Sequence, residues 1–554
     1  MNKKVCSFPI LFALLALLIG TCAVVFPASA QAAPTSTGSI TVSGTVASSY
    51  DAYQIFSANV VDGDSDAKIA TDLAWASDAV RDAALPVLHS AGMPNSQTTA
   101  REAAEWLNTD SHLTSALSAQ LARSLQSSDA VSVALNAGTT AELPCGYWLI
   151  VADDDAIAQG EVGTAPIMAL VGGGAVTVKP KAATPKVAKH VLEDGTAAWQ
   201  KAADATVADD LYWRLSATVP AGLTAYDTYT VRFVDTMGAG LDPSKVAASM
   251  RVYVAAGADG GFGAVSAGKD GRVGTEPAKG WTDITAQCGV SVDGKTFTVR
   301  TGDLIAALGG ADAFTVGARV VAVYDAPLGA SCNRGATKGN PNEVCLRYPR
   351  SPFADQSGDA GFTRTPSDDA CAYTWDLALT KRGSDGDKPL AGAVLSIADD
   401  RGRTLAADGT WDAEGKVTVT TGEDGRVTVS GVDSGKLEVR ELKAPKGYTA
   451  FEGTRSVTVK AEGLDVDQVA AAKPKLTITA ESPLRADSAD GSTGSLEASL
   501  INTPTGTPPS ITTGGFMPST GDMAMYAAAA AAVAGAALIV VALLVKRGGG
   551  SHKE

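Results

Sequence analysis

Apolar residues are distributed along this chain in two ways: as unbroken runs at its two ends, and in alternation with polar residues through the body. The first run, Ile10 to Val25, follows Asn2-Lys3-Lys4 and precedes the small residues Ala28-Ser29-Ala30 and Ala30-Gln31-Ala32. A positive start, an apolar stretch and an A-x-A site describe a secretory signal peptide. It is assigned to residues 1–30, with cleavage after Ala30 or Ala32. The second run, Met523 to Val545, has the ~20-residue length that spans a bilayer. Lys546 and Arg547 follow it at once, which places the tail, residues 546–554, inside the cell. A transmembrane helix over 523–545 would therefore tether an otherwise external chain.

Between the runs the pattern divides into three units. Residues 34–180 open with the alternating Ser39-Ile40-Thr41-Val42-Ser43-Gly44-Thr45-Val46 and Tyr53-Gln54-Ile55-Phe56, and close with Gly146 to Val151 and Pro166 to Val171. Two helices are predicted between these strands. Thr99-Ala100-Arg101-Glu102 is a capping box that opens one, and Ser111 to Leu125 forms the other. The first unit therefore reads as a mixed α+β domain. In residues 183–372, Val290-Ser291-Val292 and Thr296-Phe297-Thr298-Val299 flank Asp293-Gly294, a strong hairpin signal. In residues 373–505, Val417-Thr418-Val419 and Val427-Thr428-Val429 flank a turn at Asp424-Gly425 with the same period of two. Strands at this spacing point to β-sandwiches, so the fold class is mostly β. Residues 506–516, rich in Thr, Pro and Gly, read as a linker.

Composition narrows the function. The 554 residues are 45% hydrophobic, 19% charged and 6% aromatic, enough to bury several cores. The net charge of −15 argues against nucleic acid as a partner, because an acidic surface repels phosphate. Five cysteines remain after signal removal: Cys145, Cys288, Cys332, Cys345 and Cys371. An exported chain permits disulfides, and the sequence leaves their pairing open. There is no C-x-x-C and the four histidines are scattered, so no zinc site is expected. Gly172-Gly173-Gly174 lacks the Lys-Ser/Thr of a phosphate loop and reads as a turn between strands. No nucleophile–base set emerges, so neither an enzyme nor a cofactor is expected.

Met517-Pro518-Ser519-Thr520-Gly521, standing just before the apolar run and the basic tail, resembles the Leu-Pro-x-Thr-Gly sorting signal of sortase substrates, with Met in place of Leu. The resemblance implies that a sortase cysteine attacks the Thr520 carbonyl and holds it as a thioester. The order of all three units resembles the backbone pilins of Gram-positive sortase-assembled pili: a mixed N-terminal domain followed by two immunoglobulin-like domains. The third unit, with Trp375-Asp376-Leu377-Ala378-Leu379-Thr380-Lys381 and Pro389-Leu390-Ala391-Gly392-Ala393, resembles a collagen-adhesin B-repeat type domain.

Val176-Thr177-Val178-Lys179-Pro180-Lys181 resembles the pilin motif Val-x-Val-Tyr-Pro-Lys. Carried over, Lys181 is the inter-subunit nucleophile that takes Thr520 of the next copy; Lys179 and Lys186 are the neighbouring alternatives. The family also closes amides between a buried Lys and an Asn beside an acid. In the third unit the resemblance points to Lys381, to Glu441 (in Glu441-Leu442-Lys443-Ala444-Pro445-Lys446-Gly447-Tyr448) and to Asn502. In the second it points to Lys189, Asp235 and Asn342, with Asn340 as the substitute. The implied partners are other copies of the chain, pilus-specific and housekeeping sortases, peptidoglycan, minor pilins and the host surface. The implied location is an extracellular pilus anchored to the cell wall. A wall-anchored adhesin or tip pilin is the competing reading, since it would need only the sorting signal and no internal nucleophile.

Overall fold

A computed structural model describes residues 36–506, apart from 64–66, 110, 181–183, 222, 258–272 and 275. The signal peptide, the linker from residue 507 onward, the sorting motif, the predicted membrane span and Lys181 all lie outside the described residues. Among the described residues no helix is long and apolar enough to cross a membrane. The described residues are mostly β, with the longer helices confined to the first unit.

In the first unit a five-stranded sheet (Lys68–Trp75, Ser49–Asp62, Gly146–Ala152 and Ile167–Val171, with Ser132–Asn136 on Ser49–Asp62) lies between two other layers. Period-two alternation explains how one sheet serves both. Tyr53, Ile55, Leu149 and Val151 pack against helices. Their sequence neighbours Tyr50, Ala52, Trp148 and Ile150 pack against a three-stranded sheet of Thr140–Pro144, Thr37–Val42 and Val176–Val178. The capping box at Thr99 and Glu102 is present and opens the helix Ala100–Leu107. The next helix, Ser115–Gln126, starts four residues later than expected, because Thr114 takes the N-cap. A third helix, Asp78–Ser90, is capped by Ser77 and carries Pro86 inside it, a residue that reads in sequence as a breaker.

The second unit is a sandwich. One sheet has the order Ala198–Gln200, Val187–Glu193, Tyr212–Thr218, Arg319–Asp325, Arg251–Ala255, Thr282–Asp283. The other has the order Ala202–Asp204, Asp368–Tyr373, Asn340–Pro349, Arg232–Met237, Thr296–Arg300, Gly289–Asp293. The hairpin at Asp293-Gly294 forms, with Gly294 at φ +58° as such a turn needs.

The third unit is also a sandwich. One sheet runs Arg426–Val432, Trp375–Gly383, Ser495–Pro504, Tyr448–Thr449; the facing sheet is built on Val394–Ala398, Gly435–Lys443, Thr454–Glu462 and Lys475–Ala480. Here the Asp424-Gly425 turn does not make a hairpin. Val419–Thr420 pairs with Val394–Ala398, whereas Arg426–Val432 pairs with Trp375–Gly383 in the other sheet. The turn is a corner between layers, because a period of two fixes which face is buried and leaves the partner strand open.

A single residue, Thr374, separates the last strand of the second unit from the first strand of the third. The seam is polar and tight. Asp204 accepts hydrogen bonds from Trp375 Nε1 (2.7 Å) and from Ser434 N and Oγ (2.9 and 2.6 Å), and Arg401 and Arg403 reach Asp194 and Asp209.

Candidate functional site

Lysine is almost never fully buried unless paired, yet Lys189 and Lys381 are both 0% exposed. Strand alternation accounts for this. Lys189 occupies an inward position of Val187–Glu193, opposite Leu215, and Lys381 an inward position of Trp375–Gly383, opposite Leu500. Each amine has been carried into an apolar core, and the groups around it show what it meets there.

In the second unit the Lys189 Nζ donates to the Asp235 carboxylate and to Tyr324 Oη (3.0 Å). It lies 5.6 Å from the Trp213 ring centre and 5.5 Å from that of Tyr324. Asp235 stands on Arg232–Met237 and Asn342 on the adjacent Asn340–Pro349, in the sheet facing Lys189. Tyr324 Oη donates to Asp235 Oδ2 (3.0 Å) and accepts from Asn342 Nδ2 (2.8 Å). Asn342 Oδ1 and Asp235 Oδ1 are buried and find no donor among the described residues. Burial lowers the Lys189 amine to about 8 and raises the Asp235 carboxyl above its usual range, despite their mutual attraction. Both shifts favour a neutral amine beside a protonated acid.

Asn340 is equally buried but differently engaged. Its Oδ1 accepts from Asn333 N (2.9 Å), and its Nδ2 donates to Asn333 O (3.0 Å) and Ala372 O (3.2 Å). It pins a loop, and these hydrogen bonds leave it unlinked to Lys189. The backbone around Lys189 is held as well. Asp368 accepts from Lys189 N (2.6 Å) and from Lys201 Nζ, which also donates to Lys189 O (2.9 Å). Pro349-Arg350-Ser351-Pro352 packs on the first unit: Arg350 O accepts from Gly163 N (2.6 Å) and Arg350 Nη1 donates to Asp154 O (3.2 Å).

In the third unit the Lys381 Nζ donates to Asn502 Oδ1 and lies 3.3 Å from Glu441 Oε1. Asn502 Nδ2 donates to both oxygens of Glu441, at 2.8 and 3.0 Å, and Glu441 Oε2 also accepts from Phe451 N (3.1 Å). Lys381 and Asn502 stand on neighbouring parallel strands, while Glu441 reaches across from Gly435–Lys443 in the facing sheet. Burial lowers the Lys381 amine to about 8. The amine, the carboxamide and the acid are thus in mutual contact, isolated from water.

Two buried amine–amide–acid sets can each perform one reaction without a cofactor: attack of a neutral amine on a carboxamide carbon, with the acid managing the protons. Lys179 and Lys186 are exposed on either side of residues 181–183. The five cysteines are free thiols. Sequence reasoning passed over Tyr324. The only signal for it was parity: with Val320 and Ala322 it falls on the inner face of its strand, where a phenol needs a partner. At the seam Glu193, Asp204 and Asp433 bring carboxylates within 4.8 Å of one another.

Residues 376–473 match the SpaA family, a prealbumin-like fold domain. The trypsin-resistant surface T6 protein of Streptococcus pyogenes serotype M6 is 30% identical over 129 residues, 22% of this chain and 22% of that relative, so the match spans about a fifth of its length. Among solved structures, the T6 backbone pilin of serotype M6 Streptococcus pyogenes aligns at 17% identity over 85% of this chain and 98% of its own, with a TM-score of 0.45. The full-length major pilin SpaD of Corynebacterium diphtheriae aligns at 16% identity over 85% and 98%, with a TM-score of 0.40.

Proposed function

We propose that this chain is the repeating shaft subunit of a covalent pilus on a Gram-positive cell, exported and finally anchored to the wall. The observation that carries this reading is the pair of buried Lys–Asn–acid sets, one per sandwich. A core gains nothing from an uncompensated lysine, but closing Lys189 to Asn342 and Lys381 to Asn502 turns each costly set into a neutral amide. Each bond forms once and does not turn over, so the chain is a structural protein and not an enzyme. The working division is 34–180, 183–372 and 373–505, followed by the linker and sorting motif.

Polymerisation would use the other chemistry. A sortase holds Thr520 of one copy as a thioester, and Lys181 of the next attacks it, leaving an amide between subunits. The predicted helix at 523–545 holds the chain at the membrane until Thr520 is cut from Gly521. A housekeeping sortase would then pass the base of the fibre to peptidoglycan.

Intact mass tests the internal bonds: the body should weigh less than its formula by two ammonia molecules (about 17 Da each). Fibres digested and sequenced test the shaft: a branched peptide should join residues 181 and 520. In the native cell, Lys181→Ala should abolish the high-mass ladder and leave monomer on the wall. A persisting ladder would place the nucleophile elsewhere, and an absent branch would leave a simple wall-tethered surface protein.

A further inference from the structure

We propose that Tyr324 is a catalytic residue of the middle-domain site, passing a proton between Asp235 and the nitrogen that leaves Asn342. This rests on the reading that Lys189 and Asn342 close an amide.

The contacts of the Tyr324 hydroxyl use all of its capacity. A phenol has one proton to donate and two lone pairs. The proton goes to Asp235 Oδ2, and the lone pairs accept from Lys189 Nζ and Asn342 Nδ2, all within 3.0 Å. The hydroxyl therefore touches the attacking nitrogen, the leaving nitrogen and the acid at once. Asp235, by contrast, makes no hydrogen bond to Asn342. In the strand register it opposes Val344, while Asn342 opposes Met237, which puts the two one diagonal step apart. An aspartate is too short to span that step, and Tyr324 fills it from the facing sheet. The third unit shows the alternative. There Glu441, one methylene longer, contacts Asn502 Nδ2 through both oxygens and no hydroxyl intervenes.

The protons balance along this route. The Lys189 ammonium gives one to Asp235, leaving an amine and a carboxylic acid. The Nζ lone pair forms the new bond to Cγ of Asn342, and the carbonyl π pair moves to Oδ1. Tyr324 gives its hydroxyl proton to Nδ2 and takes the Asp235 proton in return. The Cγ–Nδ2 bond breaks, ammonia departs with the bonding pair, and Oδ1 reforms the carbonyl. The excess proton on Nζ passes to Asp235, so an amide, a neutral acid and ammonia remain. Burial holds the Tyr324 phenol well above its usual range, so it gives up one proton only as it takes another.

The test follows both amides in one molecule. The full chain is made by cell-free synthesis, aliquots are quenched in acid, and the cross-linked 189–342 and 381–502 peptides are quantified after digestion. Tyr324→Phe should form the 189–342 amide about 100-fold more slowly, while the 381–502 amide keeps its wild-type rate as an internal control. Closure at the wild-type rate would overturn the proposal. Fluorinated tyrosines placed at position 324 keep the shape and the hydrogen bonds but acidify the phenol. The 189–342 rate should rise stepwise with acidity, and a flat series would show a merely structural hydroxyl and overturn the relay even if the Phe variant misfolds. A wild-type chain that never yields the 189–342 peptide would instead refute the underlying amide, a result separate from any effect of Tyr324.

Discussion

In the middle sandwich the lysine and the asparagine stand on opposite sheets, the acid stands beside the asparagine, and a tyrosine bridges them. In the C-terminal sandwich the lysine and the asparagine stand on neighbouring parallel strands, and the acid alone reaches across. The chemistry requires only that an amine, a carboxamide and an acid converge in a dry core. Which strands supply them is free, and the length of the acid follows from the wiring. The two wirings nevertheless place the proposed amide differently with respect to the ends of each domain, and that is where their consequences part.

Thermal stability should not distinguish them. By the entropy of loop closure each proposed cross-link would contribute about 5 kcal/mol, with a difference of only about 0.2 kcal/mol between loops of these lengths. Asn342→Ala and Asn502→Ala should therefore each lower the Tm of their own domain by roughly 10–20 °C in scanning calorimetry. A much larger loss in one domain would mean that its lysine, left buried and unpaired, dominates the cost.

The acid should distinguish them sharply. Glu441→Asp withdraws the carboxylate from Asn502 by one methylene, and no hydroxyl stands ready to bridge the gap. Closure of the 381–502 amide should slow by about 100-fold, read as retained ammonia in the intact mass. Normal closure in this variant would show that the reach of the acid is not what the two wirings differ in.

Force should distinguish them as well. Lys381 and Asn502 lie on the first and last strands of their sandwich, so a pull on its two ends would run directly through the proposed amide. Lys189 lies on a first strand, but Asn342 is followed by the rest of its own strand and by Asp368–Tyr373. That segment can be drawn out before the load reaches the bond. Single-molecule stretching should show the middle domain lengthening by on the order of 100 Å and the C-terminal domain scarcely at all. Equal extensions would place the middle amide elsewhere.

The sandwiches were legible because alternation marks the buried face; the C-terminal set was reached only through three short motifs that resemble the pilin family's, and the structure puts all three residues on inward positions of their strands. Less could be read where a contact depends on which strands become neighbours. Asn342 and Asn340 have the same parity on one strand and both are fully buried; only the loop at Asn333, which occupies Asn340, separates them. Tyr324 belongs to no local motif, because its three partners come from three other strands. The turn at Asp424-Gly425 was legible, but not, for the same reason, that it is a corner between two sheets. The helix Asp78–Ser90 was hidden by Pro86, whose cost is outweighed by the burial of Val80, Ala83, Ala84 and Leu88.

A last contrast lies between the sets that can become neutral amides and the seam, whose acids stay titratable. Burial, followed by the charge of Asp204, pushes Glu193 from 4.5 up to about 8. Burial, together with Asp204, Asp194 and Glu193, raises Asp433 in the same direction. Between about pH 4.5 and 8 the folded seam therefore holds a proton that the unfolded chain has released. Stability from this source is full below that window and is lost as pH rises through it, the reverse of an ordinary ion-paired carboxylate. Melting of the middle and C-terminal domains should shift downward from pH 5 to pH 8, and Glu193→Gln, neutral at every pH, should flatten that slope. A slope that survives unchanged in Glu193→Gln would move the proton from Glu193 to another group.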